Sequence, residues 1–373
     1  MTLAKELPSG WINFKVTELF ETITPKHKLN VKFYLKQGNY PVVDQSDNFI
    51  SGYHNQESYV NKISNPVIIF GDHTRIFKYV QFNFISGADG TKILSPNLEI
   101  VNPKFLFYGL KNINLISEGY SRHFRILKKS ELSIPPLDVQ ERIVQILDKA
   151  ERLKELREQS IKKSEELELS IFSEFITNNS EKLPPHWKLS TLGEKCDFIG
   201  GGTPSKNEMT YWTDGFVPWA SVRDIDGKYL KSTEYKITEK AISSSSTNLI
   251  EKNNVILVTR VGLGKVCMNQ IDVCINQDLK AVIPKDGTLL KTYLLYFLIS
   301  KSKFIENLGR GATVKGVTLE MVKNIKIIIP PLIVQKDLVE KINKASKIFD
   351  KSTNYETEQL ASSLLQRAFS GEI

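Results

Sequence analysis

The sequence predicts an α/β (α+β) fold in which two globular domains are joined by two long antiparallel helices. Three observations predict it. The stretch Ile134-Pro-Pro-Leu-Asp-Val-Gln140 returns as Ile329-Pro-Pro-Leu-Ile-Val-Gln335, at an offset of 195 residues. After each copy, Val139/Val334, Ile143/Leu338, Val144/Val339, Leu147/Ile342, Ala150/Ala345 and Leu153/Ile348 are apolar in both. Their spacing of three and four residues lays one stripe along a helix. Before each copy, short β-like runs alternate with turn clusters. The repeat sets the expected boundaries: domains over 1–132 and 181–328, helices over 133–180 and 329–373.

In the first domain the strand-like runs are Trp11–Val16, Tyr40–Asp44, Pro66–Phe70 and Tyr79–Phe84, with tight turns at Gly71-Asp72 and Asp89-Gly90. The Pro-Pro pair ends a strand, because proline donates no ladder hydrogen bond. It also opens a helix, because its fixed φ suits the first turn. Residues 138–177 then read as one helix of some 40 residues, roughly 60 Å at ~1.5 Å per residue. Leu183-Pro-Pro-His-Trp187 echoes Leu7-Pro-Ser-Gly-Trp11, so the repeat includes each domain's first strand. The second domain carries a Gly200-Gly-Gly202 turn, an aromatic cluster of Tyr211, Trp212 and Trp219, and a strand over Asn254–Thr259. The second helix is expected over 332–370, with Gly371 as its cap. A single apolar stripe cannot stand alone in water, so the two helices are expected to pair antiparallel. Val139, Ile143, Leu147, Ala150 and Leu153 would lie on one side of the seam, and Val334, Leu338, Ile342, Ala345 and Ile348 on the other. Such pairing relates the halves by an internal pseudo-two-fold axis.

The composition is that of a soluble globular protein. The first residues lack the apolar core of a signal peptide, and no run is long enough for a membrane span. Cys196, Cys267 and Cys274 have neither disulfide nor metal spacing and read as buried thiols. Charge is uneven along the chain. Residues 1–130 hold 16 Lys and Arg against 10 Asp and Glu, and 181–325 hold 20 against 15. The helical stretches hold 7 against 11 and 7 against 6, so the domains carry the whole basic excess. Such a distribution points to a polyanionic partner.

With Gly201-Gly-Thr-Pro-Ser205, Val217-Pro-Trp-Ala-Ser221 and the ending Leu364-Leu-Gln-Arg-Ala-Phe-Ser-Gly-Glu-Ile373, the chain resembles the specificity (S) subunit of type I restriction–modification systems. The resemblance covers the whole chain. It implies two target-recognition domains, each reading one half of a bipartite site in double-stranded DNA. It implies helices that act as spacer and as dock for two modification (methyltransferase) subunits, which bind S-adenosylmethionine, with restriction subunits added. It also implies a cytoplasmic, non-catalytic chain with no cofactor or metal of its own. The first domain has no counterpart of the Gly-Gly-Thr-Pro turn, so the half-sites are expected to differ.

Enzymatic alternatives are a single-chain DNA methyltransferase or nuclease with its own recognition domain, and a third reading is a coiled-coil scaffold. Phe198-Ile-Gly-Gly-Gly202 fits a methyl-donor glycine pattern, but the Pro-Pro-Tyr/Phe loop that grips a flipped adenine is absent. Asp272, Asp278 and Lys280 lie on strand-like sequence and read as surface charge, and Gly262-Leu-Gly-Lys265 fails the phosphate-loop spacing. The DNA-binding candidates are side chains beside glycine turns. In the first domain these are His73, Arg75, Lys78, Lys92, Arg122, His123 and Arg125. In the second they are Thr203, Lys206, Arg223, Arg260, Lys265, Arg310 and Lys315. Arginine suits bidentate reading of guanine and lysine suits phosphate. Trp212 and Trp219 read as core.

Overall fold

The structure, a computed structural model, describes residues 8–116, 121–310, 317–347 and 354–373, with Arg310 and 354–359 described by backbone alone. Among the described residues no helix is long and apolar enough to cross a membrane. The chain forms two compact units, Met1–Glu158 with Ser352–Ile373, and Gln159–Lys351.

In the first unit the apolar run Val67–Gly71 is buried along its whole length and takes a central place. The sheet order is Phe20–Ile23, Thr91–Pro96, Val67–Gly71, Phe77–Val80, all antiparallel. A second, mixed sheet contains Lys28–Leu29, Phe84–Gly87, Tyr40–Val43 and Gly52–His54. A two-stranded ribbon pairs Ile12–Lys15 with Glu131–Ile134, in the register Ile12 with Ile134. Tyr79–Phe84, expected as one strand, is cut at Gln81: its halves belong to Phe77–Val80 and Phe84–Gly87, in different sheets. The helix Pro103–Asn112 starts with proline in its first turn, and the Asn102 side chain accepts from Lys104 N and Phe105 N. Its Phe105 and Leu106 join Phe70, Leu94, Ile143, Leu147 and Ala368 in one core.

The second unit repeats this plan. Its larger sheet runs Cys196–Gly200, Leu279–Pro284, Val255–Val258, Val266–Asn269, Tyr229–Leu230, and its ribbon pairs Lys188–Thr191 with Lys326–Ile329. A smaller sheet holds Tyr235–Ile237, Val217–Ala220, Val273–Ile275 and Asn248–Ile250. Helix Lys291–Ser300 buries Tyr293 through Leu298 without a polar face, so it lies inside the core rather than on it. Tyr296 bonds to Glu168 (3.2 Å), which is 2% exposed and ion-paired with Lys228.

One helix, Leu137–Ser180, runs through both units, a length of about 66 Å at ~1.5 Å per residue. The second helix, expected as one rod, is described as Leu332–Lys347 and Asn354–Phe369, with 348–353 and therefore Ile348 outside the described residues. The expected seam differs in its partners. Ile143 and Leu147 are buried in the first unit, where Val139, Leu364, Leu365 and Phe369 pack against the same core, and Ala150 is 6% exposed. Leu338 and Ile342 are buried in the second unit with Phe172, Ile171 and Phe175, while Val334 and Ala345 are half-buried. Positions equivalent in the repeat therefore sit in separate cores. Leu153, expected in the seam, is 55% exposed. Leu153 lies on the flank of the stripe, two turns beyond Ile146, which is likewise exposed at 38%.

Candidate nucleic-acid interface

In the first unit four loops are laced together at the ends of the strands. Asp72 N donates to Gly90 O (2.7 Å) and His123 N to Asp72 O (2.8 Å). The Gln45 amide donates to Asp89 O (2.8 Å) and accepts from His73 N (3.2 Å), and the Thr74 hydroxyl donates to Gln45 O (2.7 Å). The candidates on these loops have different surroundings. Arg122 and Arg125 are exposed. Lys92 lies over the Phe124 ring at 5.6 Å, the His73 ring sits 3.2 Å from Ser121 O, and Arg75 (φ 62°) donates to Leu115 O at 2.8 Å. Lys78 and His123 are corrected by the structure. Lys78 is 4% exposed, donating to Asn48 O and lying 3.8 Å from Asp44. His123 is fully buried, its ring 3.0 Å from Asp72 O. Both hold loops in place and present nothing to a phosphate.

The second unit builds the corresponding loop cluster on the same backbone bonds. Thr259 N donates to Asp278 O (2.9 Å), as Asp72 does to Gly90, and Val317 N donates to Thr259 O (3.1 Å), as His123 does to Asp72. Its glycine loop is clamped from two sides. Gly202 N donates to Ile275 O (3.0 Å), and a Cβ on Gly201 would lie 1.9 Å from that same oxygen, so only glycine fits. The Trp219 indole donates to Gly202 O (3.1 Å) and the Trp212 indole to Ser205 O (3.0 Å), the two rings meeting edge-on at 5.3 Å. Trp219 is buried and Trp212 half-buried, so these tryptophans shape the loop.

The clamp sets Thr203 against Gln277, hydroxyl to amide oxygen, at 2.6 Å. Lys280 donates to Gln277 O (3.1 Å); burial and the neighbouring Arg260 guanidinium lower its pKa. Arg260 is 3.9 Å from Asp278, and Lys265 donates to Ile225 O at 3.0 Å. Arg223 and Lys206 are exposed. The Arg310 side chain and Lys315 lie outside the described residues. Sequence reasoning passed over Gln45 and Gln277, and read Lys280 as surface charge, whereas its ammonium is bonded to the Gln277 carbonyl. The signal for the two amides was their place in strand-end turns, Gln45 just after Val43 and Gln277 just after Ile275.

Among the described residues no group of three His, Cys, Asp or Glu side chains is placed to hold a metal ion. Two segments, 8–166 and 184–361, match the family model for the type I restriction modification DNA specificity domain. The chain is 32% identical over 360 residues to the type I restriction enzyme EcoR124I/EcoR124II specificity subunit of Escherichia coli, covering 90% of this chain and 85% of that one. It is 30% identical over 197 residues to the MjaIX specificity subunit of Methanocaldococcus jannaschii, covering 48% and 44%. In fold it is similar to the type I restriction–modification S subunit from M. genitalium (TM-score 0.56, 16% identity, 99% and 98% covered). It is also similar to a chain from a structure of type I R-M complex assembly and conformational transition (TM-score 0.52, 19% identity, 99% and 100% covered). Two matched segments that between them span most of the chain, on a duplicated fold, place it in the family of type I restriction–modification DNA specificity subunits.

Proposed function

We propose that this chain is the sequence-reading subunit of a type I restriction–modification complex, each unit reading one half of an asymmetric, split site in double-stranded DNA. One observation carries the reading: the two loop clusters share their backbone bonds but not their side chains. His73, Lys92, Arg122 and Arg125 edge the first, whereas Thr203, Lys206, Arg223, Gln277 and Arg260 edge the second. One scaffold with two sets of polar tips suits two different half-sequences. Arg75 and Lys265, each tied to a backbone carbonyl, would position the surface more than read it. The helices would dock two modification subunits that carry S-adenosylmethionine, with restriction subunits joining the full complex in the cytoplasm. The domain and helix boundaries, 1–132, 133–180, 181–328 and 329–373, are proposed on the same grounds. Catalysis would lie with those partners and none with this chain.

Replacing residues 185–325 by the corresponding domain of a relative tests this. With the modification subunit present, methylated adenines mapped across a host genome should show one half-sequence changed and the other kept. The purified chain alone should transfer no methyl group. An unchanged motif, two changed halves, or methylation without a partner would overturn the proposal.

A further inference from the structure

The two glutamines in the loop clusters are in opposite states. Gln45 of the first unit is spent on its own fold: its nitrogen donates to Asp89 O and its oxygen accepts from His73 N. Gln277 of the second unit is exposed and held at one atom only, its Oε1 accepting from the Thr203 hydroxyl at 2.6 Å. Among the described residues nothing takes its Nε2. A side-chain amide oxygen has two lone pairs and the nitrogen two hydrogens, so one acceptor site and both donors remain. That is the pattern which bonds an adenine edge in the major groove, the oxygen accepting from N6 and the nitrogen donating to N7.

The surroundings keep this amide in place. The loop that bears Thr203 is fixed at Gly202 to Ile275, the residue that ends the strand two positions before Gln277. Lys280 donates to the Gln277 carbonyl, and Arg260, 3.9 Å from the next residue Asp278, has its side chain 61% exposed, suited to a neighbouring phosphate. Resting on the reading above, we infer that Gln277 is a specificity-determining residue of the second unit: it reads one adenine, with Thr203 as the residue that positions its amide.

The test uses the full complex of this chain with its modification subunit, expressed in a host free of adenine methylation, with every methylated site mapped. Gln277→Ala should relax one A·T position of the half-site read by the second unit, by roughly ten-fold or more in preference. The other positions and the first half-site should keep their sequence. Gln277→Glu, which keeps the shape but loses the donors, should disfavour adenine at that position. Thr203→Val should weaken the same position and no other. Motifs unchanged in both Gln277 variants, relaxation at a G·C position, or a uniform fall in methylation at an unaltered motif would each overturn the inference. A wild-type complex that methylates no split site would instead refute the proposed function, a separate result.

Discussion

Gln140 and Gln335 are fully buried and make the same three hydrogen bonds in the two units. The Gln140 oxygen accepts from Asn102 N (2.7 Å), and its nitrogen donates to Ile100 O (3.0 Å) and Pro135 O (2.8 Å). The Gln335 oxygen accepts from Leu290 N (2.9 Å), and its nitrogen donates to Thr288 O (2.8 Å) and Pro330 O (2.7 Å). Each glutamine thus pins the segment that leads into its domain's own helix to the Pro-Pro corner. This is the physical content of the repeated motif's last residue.

Gln140→Ala should therefore leave one backbone donor and two carbonyls buried without partners. Unsatisfied groups of this kind cost about 1–3 kcal/mol each, so a loss of about 2–4 kcal/mol in urea unfolding is expected after partial relaxation. Gln335→Ala should lose a similar amount in the second unit. A neutral effect at one position and a large one at the other would show that the bonds are not equivalent.

Leu147 and Ile342 are 3% and 0% exposed, each in the core of its own unit. Burying one such side chain contributes about 1.5–3 kcal/mol, and a glutamate in its place adds the cost of an unpaired buried charge. Leu147→Glu and Ile342→Glu should each lower the melting temperature markedly. Scanning calorimetry that shows either variant melting like wild type would remove that position from the core.

The glycine loop gives a contrast between two alanine substitutions. Gly201→Ala forces a Cβ against Ile275 O and should loosen the second unit by roughly 2–4 kcal/mol. Gly287, where a Cβ would meet nothing within 4 Å, should accept alanine within about 0.5 kcal/mol. Denaturant midpoints of the two variants check this directly.

Asp44 supplies a dependence on pH. Its burial raises the carboxyl pKa, but hydrogen bonds from Ser51, Ser46 and Tyr34 outweigh that and hold it below the ordinary carboxylate value of 3.8. Buried Lys78 lies 3.8 Å away, and burial and the Asp44 charge push the Tyr34 hydroxyl up. A depressed folded-state pKa stabilises above the unfolded value and is lost as pH falls through the folded one. Thermal melts should thus show a stabilising share of Asp44 at pH 7 that disappears in acid below about pH 4. Asp44→Asn should be less stable than wild type at pH 7, and the gap should narrow in acid. A gap constant with pH would mean that the carboxylate's charge does not matter there.

What could be read from sequence was whatever leaves a period or a repeat. The stripe from Val139 to Ala150 and the doubled Pro-Pro motif are of that kind, because burial of one helix face fixes residue type at every third or fourth position. The surroundings of Gln140, Lys78 and Gln277 are not, even though Gln140 itself returns in the repeat as Gln335. Each is polar, and whether it is buried, ion-paired or exposed depends on segments that meet only in the fold: Asn102 lies 38 residues from Gln140, and Thr203 lies 74 from Gln277. The cut at Gln81 was hidden for a related reason, since Tyr79 and Phe84 are both strand formers and nothing local says that they belong to different sheets.

The cysteines of this chain, Cys196, Cys267 and Cys274, all lie in the second unit and are all buried. Burial pushes their thiols up to about 12, 12 and 11, so at neutral pH they hold almost no reactive thiolate. They form a built-in clock for one half of the molecule. An alkylating reagent will label them only as fast as the second unit opens, and the first unit, which has no thiol, can unfold without being counted. Labelling rates set beside whole-chain melting would separate the lifetimes of two units that share one continuous helix.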